Sequence, residues 1–219
     1  MSTPQTLSAD QAVARAVALA AAGGRSVLGI AGAPGAGKST LARRVVTAVT
    51  EQLGPGVAVQ VPMDGFHLAN AALDALGRHD RKGAIDTFDA AGYVALVRRL
   101  TATGDGTDGT GTVWAPDFDR RVDEPVAGSI AVPPETVLVV SEGNYLLDQS
   151  TPWRELPGLC TETWACVVDD DVRIDRLVGR HMRHGRDHER ARAWAVEVDG
   201  VNAARVTADL HRASVLVRT

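Results

Sequence analysis

One short segment limits what this chain can fold into more than any other. Gly32-Ala33-Pro34-Gly35-Ala36-Gly37-Lys38-Ser39 satisfies the pattern G-x-x-x-x-G-K-[ST] in full. Ahead of it, Ser26 to Ala31 (SVLGIA) is a short apolar run; behind it, Leu41, Val45, Val49 and Leu53 recur every fourth residue until Gly54-Pro55. Strand, glycine-rich turn and helix in that order let backbone N–H groups wind around phosphate oxygens while the helix N-terminus adds partial positive charge. Lys38 is placed to reach the β- and γ-phosphates of a nucleotide and the Ser39 hydroxyl to ligate Mg²⁺, with Thr40 closing the loop. The complete pattern, with both flanks, weighs against an ordinary glycine-rich turn.

The rest of the chain repeats the same grammar. Val57 to Val61, Thr136 to Ser141 and Trp164 to Val168 are near-continuously apolar, as strands covered on both faces are. Helical patterns intervene at Ala90 to Thr101, Val172 to His184 and Glu189 to Leu210, with another around His67 to Leu76. Ser8-Ala-Asp-Gln11 is a capping box opening a first helix that ends at Gly23-Gly24, and Ser214 to Val217 offers an edge strand. This alternation predicts an α/β fold, a doubly wound and mostly parallel sheet with helices on both faces, in one domain over 1–219. Val113 to Val132 reads as a small β excursion, and Gly104 to Thr112 (GDGTDGTGT) as a mobile surface loop.

Composition narrows the partners. The 23 basic against 27 acidic residues provide no global positive field, so nucleic acid and anionic membranes are not expected as partners, and any polyanion site must be local. No stretch is apolar enough to span a bilayer and the opening residues lack a leader pattern, so a cytoplasmic protein is expected. The sequence leaves homo-oligomers open. Cys160 and Cys166 fit neither a zinc site nor a disulfide framework and read as two buried thiols.

Two carboxylates follow predicted strands, where open α/β sheets bind ligands. Asp64 can take a proton from an acceptor hydroxyl; Glu142 holds the position from which an acid helps retain Mg²⁺ directly or through water. Turn formation before Gly65 and a solvated strand end are the plainer readings of each. Arg173, Arg176, Arg180 and Arg183 fall within about 80° of one helix face, and Arg186 follows a break at Gly185. They form either a lid over 172–190 that carries cations to a triphosphate or a solvated basic face.

Four blocks, GAPGAGKST at 32–40, MDGFHL at 63–68, RKGAIDTFD at 81–89 and VVSEGNYLL at 139–147, together resemble the P-loop kinases of the uridine kinase, bacterial pantothenate kinase and phosphoribulokinase branch. The resemblance implies Asp64 as catalytic base, Glu142 near Mg²⁺, Lys38 with Arg180 and Arg183 at the transferred phosphoryl group, and Arg176 and Arg186 on the nucleotide. It also implies an acceptor pocket drawn from Asp64, His67, Arg81, Lys82, Asp86 and Tyr145, to which we add Arg120. That set is polar, of mixed charge and poor in aromatics, in a chain with only 4% Phe, Trp and Tyr, so it is expected to suit a hydroxyl-rich molecule better than a large flat base.

The expected function is therefore transfer of the γ-phosphate of Mg-ATP to the hydroxyl of a small polar metabolite: a nucleoside, a sugar or a pantothenate-like alcohol. The alternative is a P-loop NTPase switch whose hydrolysis regulates a protein partner. The chain lacks an N-K-x-D guanine-reading motif, and Asp80-Arg-Lys-Gly83 is a D-x-x-G match without a preceding strand. A loop retained only for binding is disfavoured by Lys38, Ser39, Asp64 and Glu142 occurring together.

Overall fold

The computed structural model describes residues 3–102, 111–183 and 185–219. In chain order the elements are β1 (Gln5–Ser8), α1 (Ala9–Ala21), β2 (Ser26–Ala31), α2 (Lys38–Leu53), β3 (Ala58–Pro62), α3 (Asn70–Leu76), α4 (Ala90–Thr101), β4 (Val113–Asp119), β5 (Glu124–Val132), β6 (Leu138–Gly143), α5 (Leu156–Leu159), β7 (Glu162–Val167), α6 (Asp170–Arg183), α7 (His188–Glu197), α8 (Asp199–Asp209) and β8 (Val215–Arg218). A six-stranded sheet runs in the order β1-β8-β7-β2-β6-β3, and its pairings are parallel.

Alternation within β2 explains the two layers. Leu28 and Ile30 point to one face, where α1 (Ala12, Ala16, Ala20) and α2 (Leu41, Val45, Val49) cover them. Val27 points to the other, packed with α4 (Tyr93, Val97, Leu100), Trp153 and α8 (Val206). Because both faces are buried, β2 and β6 are buried at every position, which is why their sequences are near-continuously apolar. The helices start where side chains replace missing intrahelical partners: Ser8 and Gln11 cap α1 reciprocally, Asp89 caps α4 at Gly92 N, and Asp187 caps α7 at Arg190 N.

Several expectations are corrected. β8 is not an edge strand, because β1 pairs beyond it; β1 is short and mostly exposed, so it carries no apolar pattern to announce it. His67 is extended rather than helical, bridged to Phe88, and only Asn70–Leu76 of that segment is α-helix. The long C-terminal helical pattern breaks at Val198 into α7 and α8. Val113 to Val132 is the antiparallel hairpin β4-β5. Most of the glycine-rich stretch from Gly104 lies outside the described residues. Cys166 is buried and Cys160 partly so, both unpaired, and burial pushes both thiols up to about 12. Among the described residues, no helix is long and apolar enough to cross a membrane.

The hairpin is seated by a close approach of backbone. Met63–Phe66 form a 3₁₀ turn after β3, and a Cβ added at Gly65 would overlap the Pro116 carbonyl of β4. Gly65→Ala is expected to force the hairpin away and lower stability by about 1–3 kcal/mol, the usual cost of overpacking. A thermal melt unchanged from the parent would show that the contact is dispensable.

Candidate active site

The phosphate loop is wedged between two elements that its own sequence does not specify. Gly35 has φ 81°, and a side chain there would meet Arg173 O and Leu177 Cγ, each 2.9 Å from the added Cβ, so the loop touches α6 directly. On the other side, Thr219 Oγ1 donates to Ala36 O at 2.7 Å. Pro34, Gly35, Gly37, Lys38, Ser39 and Thr40 line a cavity of about 880 Å³, with Gly32, Ala33 and Ala36 behind them. Lys38 is not the solvent-facing clamp that a loop lysine suggests. It is 8% exposed and donates to Ala33 O at 3.1 Å, and burial lowers its pKa against the opposing pull of Glu142.

Glu142 lies inside β6, one residue from its end, rather than beyond it. Ser39 Oγ donates to its Oε1 at 3.0 Å, and Gln60 Nε2 approaches the same oxygen at 3.4 Å. Burial raises the Glu142 pKa, and the negative charge of Asp64 raises it further. A hydroxyl on a carboxylate, with a second carboxylate near enough to repel it, fits a divalent cation. Ser39 and Glu142 would hold Mg²⁺, and phosphate oxygens and water would complete its shell, since no group of three or more His, Cys, Asp or Glu gathers as a metal cage among the described residues.

Asp64, in the 3₁₀ turn, faces the same cavity and accepts from Arg120 Nη2 at 2.9 Å. Both side chains are partly exposed, so the pair contributes only about 0–1 kcal/mol to stability. His67 lies against Phe88 and Phe118 with ring centroids 4.0 and 4.8 Å away. Lys82 bonds Asn70 Oδ1 at 2.6 Å and Asp123 Oδ2 at 2.9 Å, and its ammonium is 5.1 Å from the Phe118 ring centre. This end of the cavity therefore has an aromatic wall that overall composition concealed.

Arg81, Asp86 and Tyr145, expected in the acceptor pocket, do not line this cavity. Arg81 and Asp86 neutralise each other at 2.7 Å. Tyr145 is 1% exposed, its ring in the core and its hydroxyl 2.8 Å from Gly83 O and 3.1 Å from the Asn202 amide. The basic helix divides similarly. Arg176, Arg180 and Arg183 face the cavity, whereas Arg173 is buried at the root of α6, held by Asp170 at 2.7 Å. Arg186 also lines the cavity, with its guanidinium 3.7 Å from the Trp194 ring centre. Leu177, Val178, Ala191 and Ala195 form a cluster of their own between α6 and α7, separate from both sheet cores.

Comparison with known proteins gives the family and the fold. A protein-family profile described as magnesium chelatase, subunit ChlI, matches residues 5–55, a span ending with the phosphate loop and its helix. A Schizosaccharomyces pombe protein, C227.14, provisionally named a uridine kinase, is 34% identical over 186 residues, covering 83% of this chain and 77% of its own. This chain belongs to the uridine kinase-like branch of the P-loop kinases. A crystal structure of a kinase from Silicibacter sp. TM1040, provisionally named for a fructose transport system, is 36% identical, covers 92% of this chain and 98% of its own, and superposes with a TM-score of 0.80. YFH7 from Saccharomyces cerevisiae, at 17% identity and a TM-score of 0.82 over 97% of this chain and 99% of its own, shares the fold. The protein is a small-molecule kinase.

Residues that the sequence did not single out also line the cavity. Asp123, Asn144, Trp194, Asp199 and Asn202 line the cavity from the hairpin turn, the end of β6, α7 and α8. Asp199 Oδ2 bonds His181 Nε2 at 2.7 Å, tying α8 to α6. A signal for Asn202 and Asp199 existed only as polar residues one helical turn apart in an otherwise small-residue stretch.

In this kinase His67 Nδ1–H donates to Asp64 O at 2.8 Å, and burial lowers the pKa of the ring, which Asp64's charge only partly offsets. The unfolded chain takes up a proton near pH 6.5 that the buried ring refuses, so the stability from neutral His67 is complete above about 6.5 and is lost as pH falls from there. His67→Asn, which keeps a donor near Nδ1, is expected to melt with a shallower pH dependence between about 5 and 6.5 than the parent. Parallel melting curves would place His67 outside the acid sensitivity.

Proposed function

We propose that the kinase moves the γ-phosphate of ATP, with Mg²⁺, to the hydroxyl of a small hydroxyl-rich metabolite. The observation that carries this reading is the convergence of Lys38, the Ser39–Glu142 hydrogen bond and Asp64 on one cavity at the phosphate loop. Asp64 takes the acceptor's proton as the oxygen bonds to phosphorus. Lys38, Arg180 and Arg183 meet the charge that builds on the transferred group, and Arg176 and Arg186 engage the nucleotide. Bound Mg²⁺ supplies charge neutralisation to the phosphates.

Two features of the cavity favour a polyol. Asp199 Oδ1 is 3.9 Å from Arg180 Nη2, beyond hydrogen-bond distance, so it keeps acceptor capacity. Tyr145 engages one atom of the Asn202 amide, and the other has no protein partner among the described residues. These two groups, one turn apart on α8, suit neighbouring hydroxyls, and a site built to bond them penalises an analogue that lacks one. The aromatic wall of His67, Phe88 and Phe118 adds a flat face for a sugar ring or a base. The names of the relatives, with a nucleoside in one and a sugar in the other, accord with such an acceptor.

Asp64→Asn is expected to keep ATP binding and to lower acceptor-dependent turnover by about 10²-fold or more. The assay is ADP release and product mass with Mg-ATP against uridine, cytidine, pantothenate, fructose and ribulose 5-phosphate. Turnover stimulated only by a protein would replace the metabolite with a partner. Single Ala substitutions of Arg176, Arg180, Arg183 and Arg186 are expected to reduce kcat more than ATP affinity if α6 and α7 close over the nucleotide. Unchanged kcat in all four would return that face to solvent.

A further inference from the structure

One oxygen of the carboxylate that should accept a proton already holds a partner. Arg120 Nη2 donates to Asp64 Oδ2 at 2.9 Å, and Arg120 makes no other hydrogen bond among the described residues. The placement is built into the fold: the Pro116 carbonyl of β4 abuts Gly65, next to Asp64, and the Phe118 ring centre lies 5.8 Å from the guanidinium carbon. The hold is also loose, since the Arg120 side chain is 58% exposed and that of Asp64 31%. A contact that is accurately aimed and weakly held suits a group that must yield.

The chemistry explains what it yields to. A carboxylate beside the transferred phosphoryl group can deprotonate water as well as an alcohol. An attacking water brings no second oxygen of its own, so freeing Asp64 requires another, unattached water to take the guanidinium N–H. A polyol brings a second oxygen, which can take the Arg120 N–H while the attacking hydroxyl replaces Arg120 on Oδ2. We propose that Arg120 is a specificity-determining positioning residue that keeps Asp64 from activating water and releases it to acceptors carrying another oxygen near the reacting hydroxyl. This inference rests on the kinase reading above. In the suppressed reaction the water oxygen bonds to the γ-phosphorus, the bond to the β,γ-bridging oxygen breaks, ADP leaves with that oxygen, and the proton from water passes to Asp64.

The test needs no acceptor. ADP and inorganic phosphate release from Mg-ATP alone is measured for the full chain, Arg120→Gln, Asp64→Asn and the double variant, with Mg-ATP affinity measured for each. Arg120→Gln is expected to hydrolyse ATP about tenfold faster than the parent, with the gain abolished when Asp64→Asn is added. Hydrolysis by Arg120→Gln at or below the parent rate overturns the inference, as does a gain that survives in the double variant. A parent chain that binds no Mg-ATP would sink the kinase reading and this inference with it; a parent that binds ATP while Arg120→Gln gains nothing sinks this inference alone.

Discussion

A hydrogen bond of 3.0 Å from Ser39 Oγ to Glu142 Oε1 joins the first turn of α2 to the carboxyl end of β6. The site depends on that junction. It requires β2 and β6 to be neighbours, which their parallel register provides by pairing Ile30 with Glu142 and Ala31 with Gly143. It also requires both strands to be covered on both faces, so that the carboxylate is withdrawn from water. Burial then makes Glu142 a weaker acid and Lys38 a weaker base, and each charge offsets part of the other's desolvation. An anionic phosphate with a cation would complete this arrangement at lower cost than in water, because the partner charges are already oriented.

The end of the cavity around Asp64 and His67 is organised by a different force. Phe88 and Phe118 come from segments far apart in the chain, and His67 joins them as a neutral ring donating to a backbone carbonyl. The β4-β5 hairpin brings Phe118, Arg120 and Asp123 over the turn that carries Asp64, and it can approach that closely because residue 65 has no side chain. Polar groups here are mostly paired: Lys82 with Asp123, Arg120 with Asp64, His181 with Asp199. Such an end presents hydrogen-bonding geometry more than net charge.

The arginines of α6 illustrate how one helical face acquires several jobs. Their spacing puts them on the same side, but the helix starts against the phosphate loop, so Arg173 is enclosed while Arg176, Arg180 and Arg183 reach the open cavity. The small apolar cluster shared with α7 lets the pair pack together without drawing on the sheet cores. That separation suits a segment that moves as a unit.

The phosphate loop, the strands and helices flanking it, Asp64, Glu142 and the basic helix were legible in sequence because each obeys a local rule: a motif with fixed spacing, a strand end, a helical period. Strand β1 was not legible, since an exposed edge of four residues has no apolar signature. Neither were Asp199, Asn202 and Trp194, which line the cavity only because α7 and α8 pack back beside α6. Arg81, Asp86 and Tyr145 stand in a motif yet do not line the cavity: the first two pair with each other, and the Tyr145 ring is packed in the core. Local chemistry fixes which residues can handle phosphate; which of them meet, which are buried and which are paired is decided by packing between segments that sequence order keeps apart.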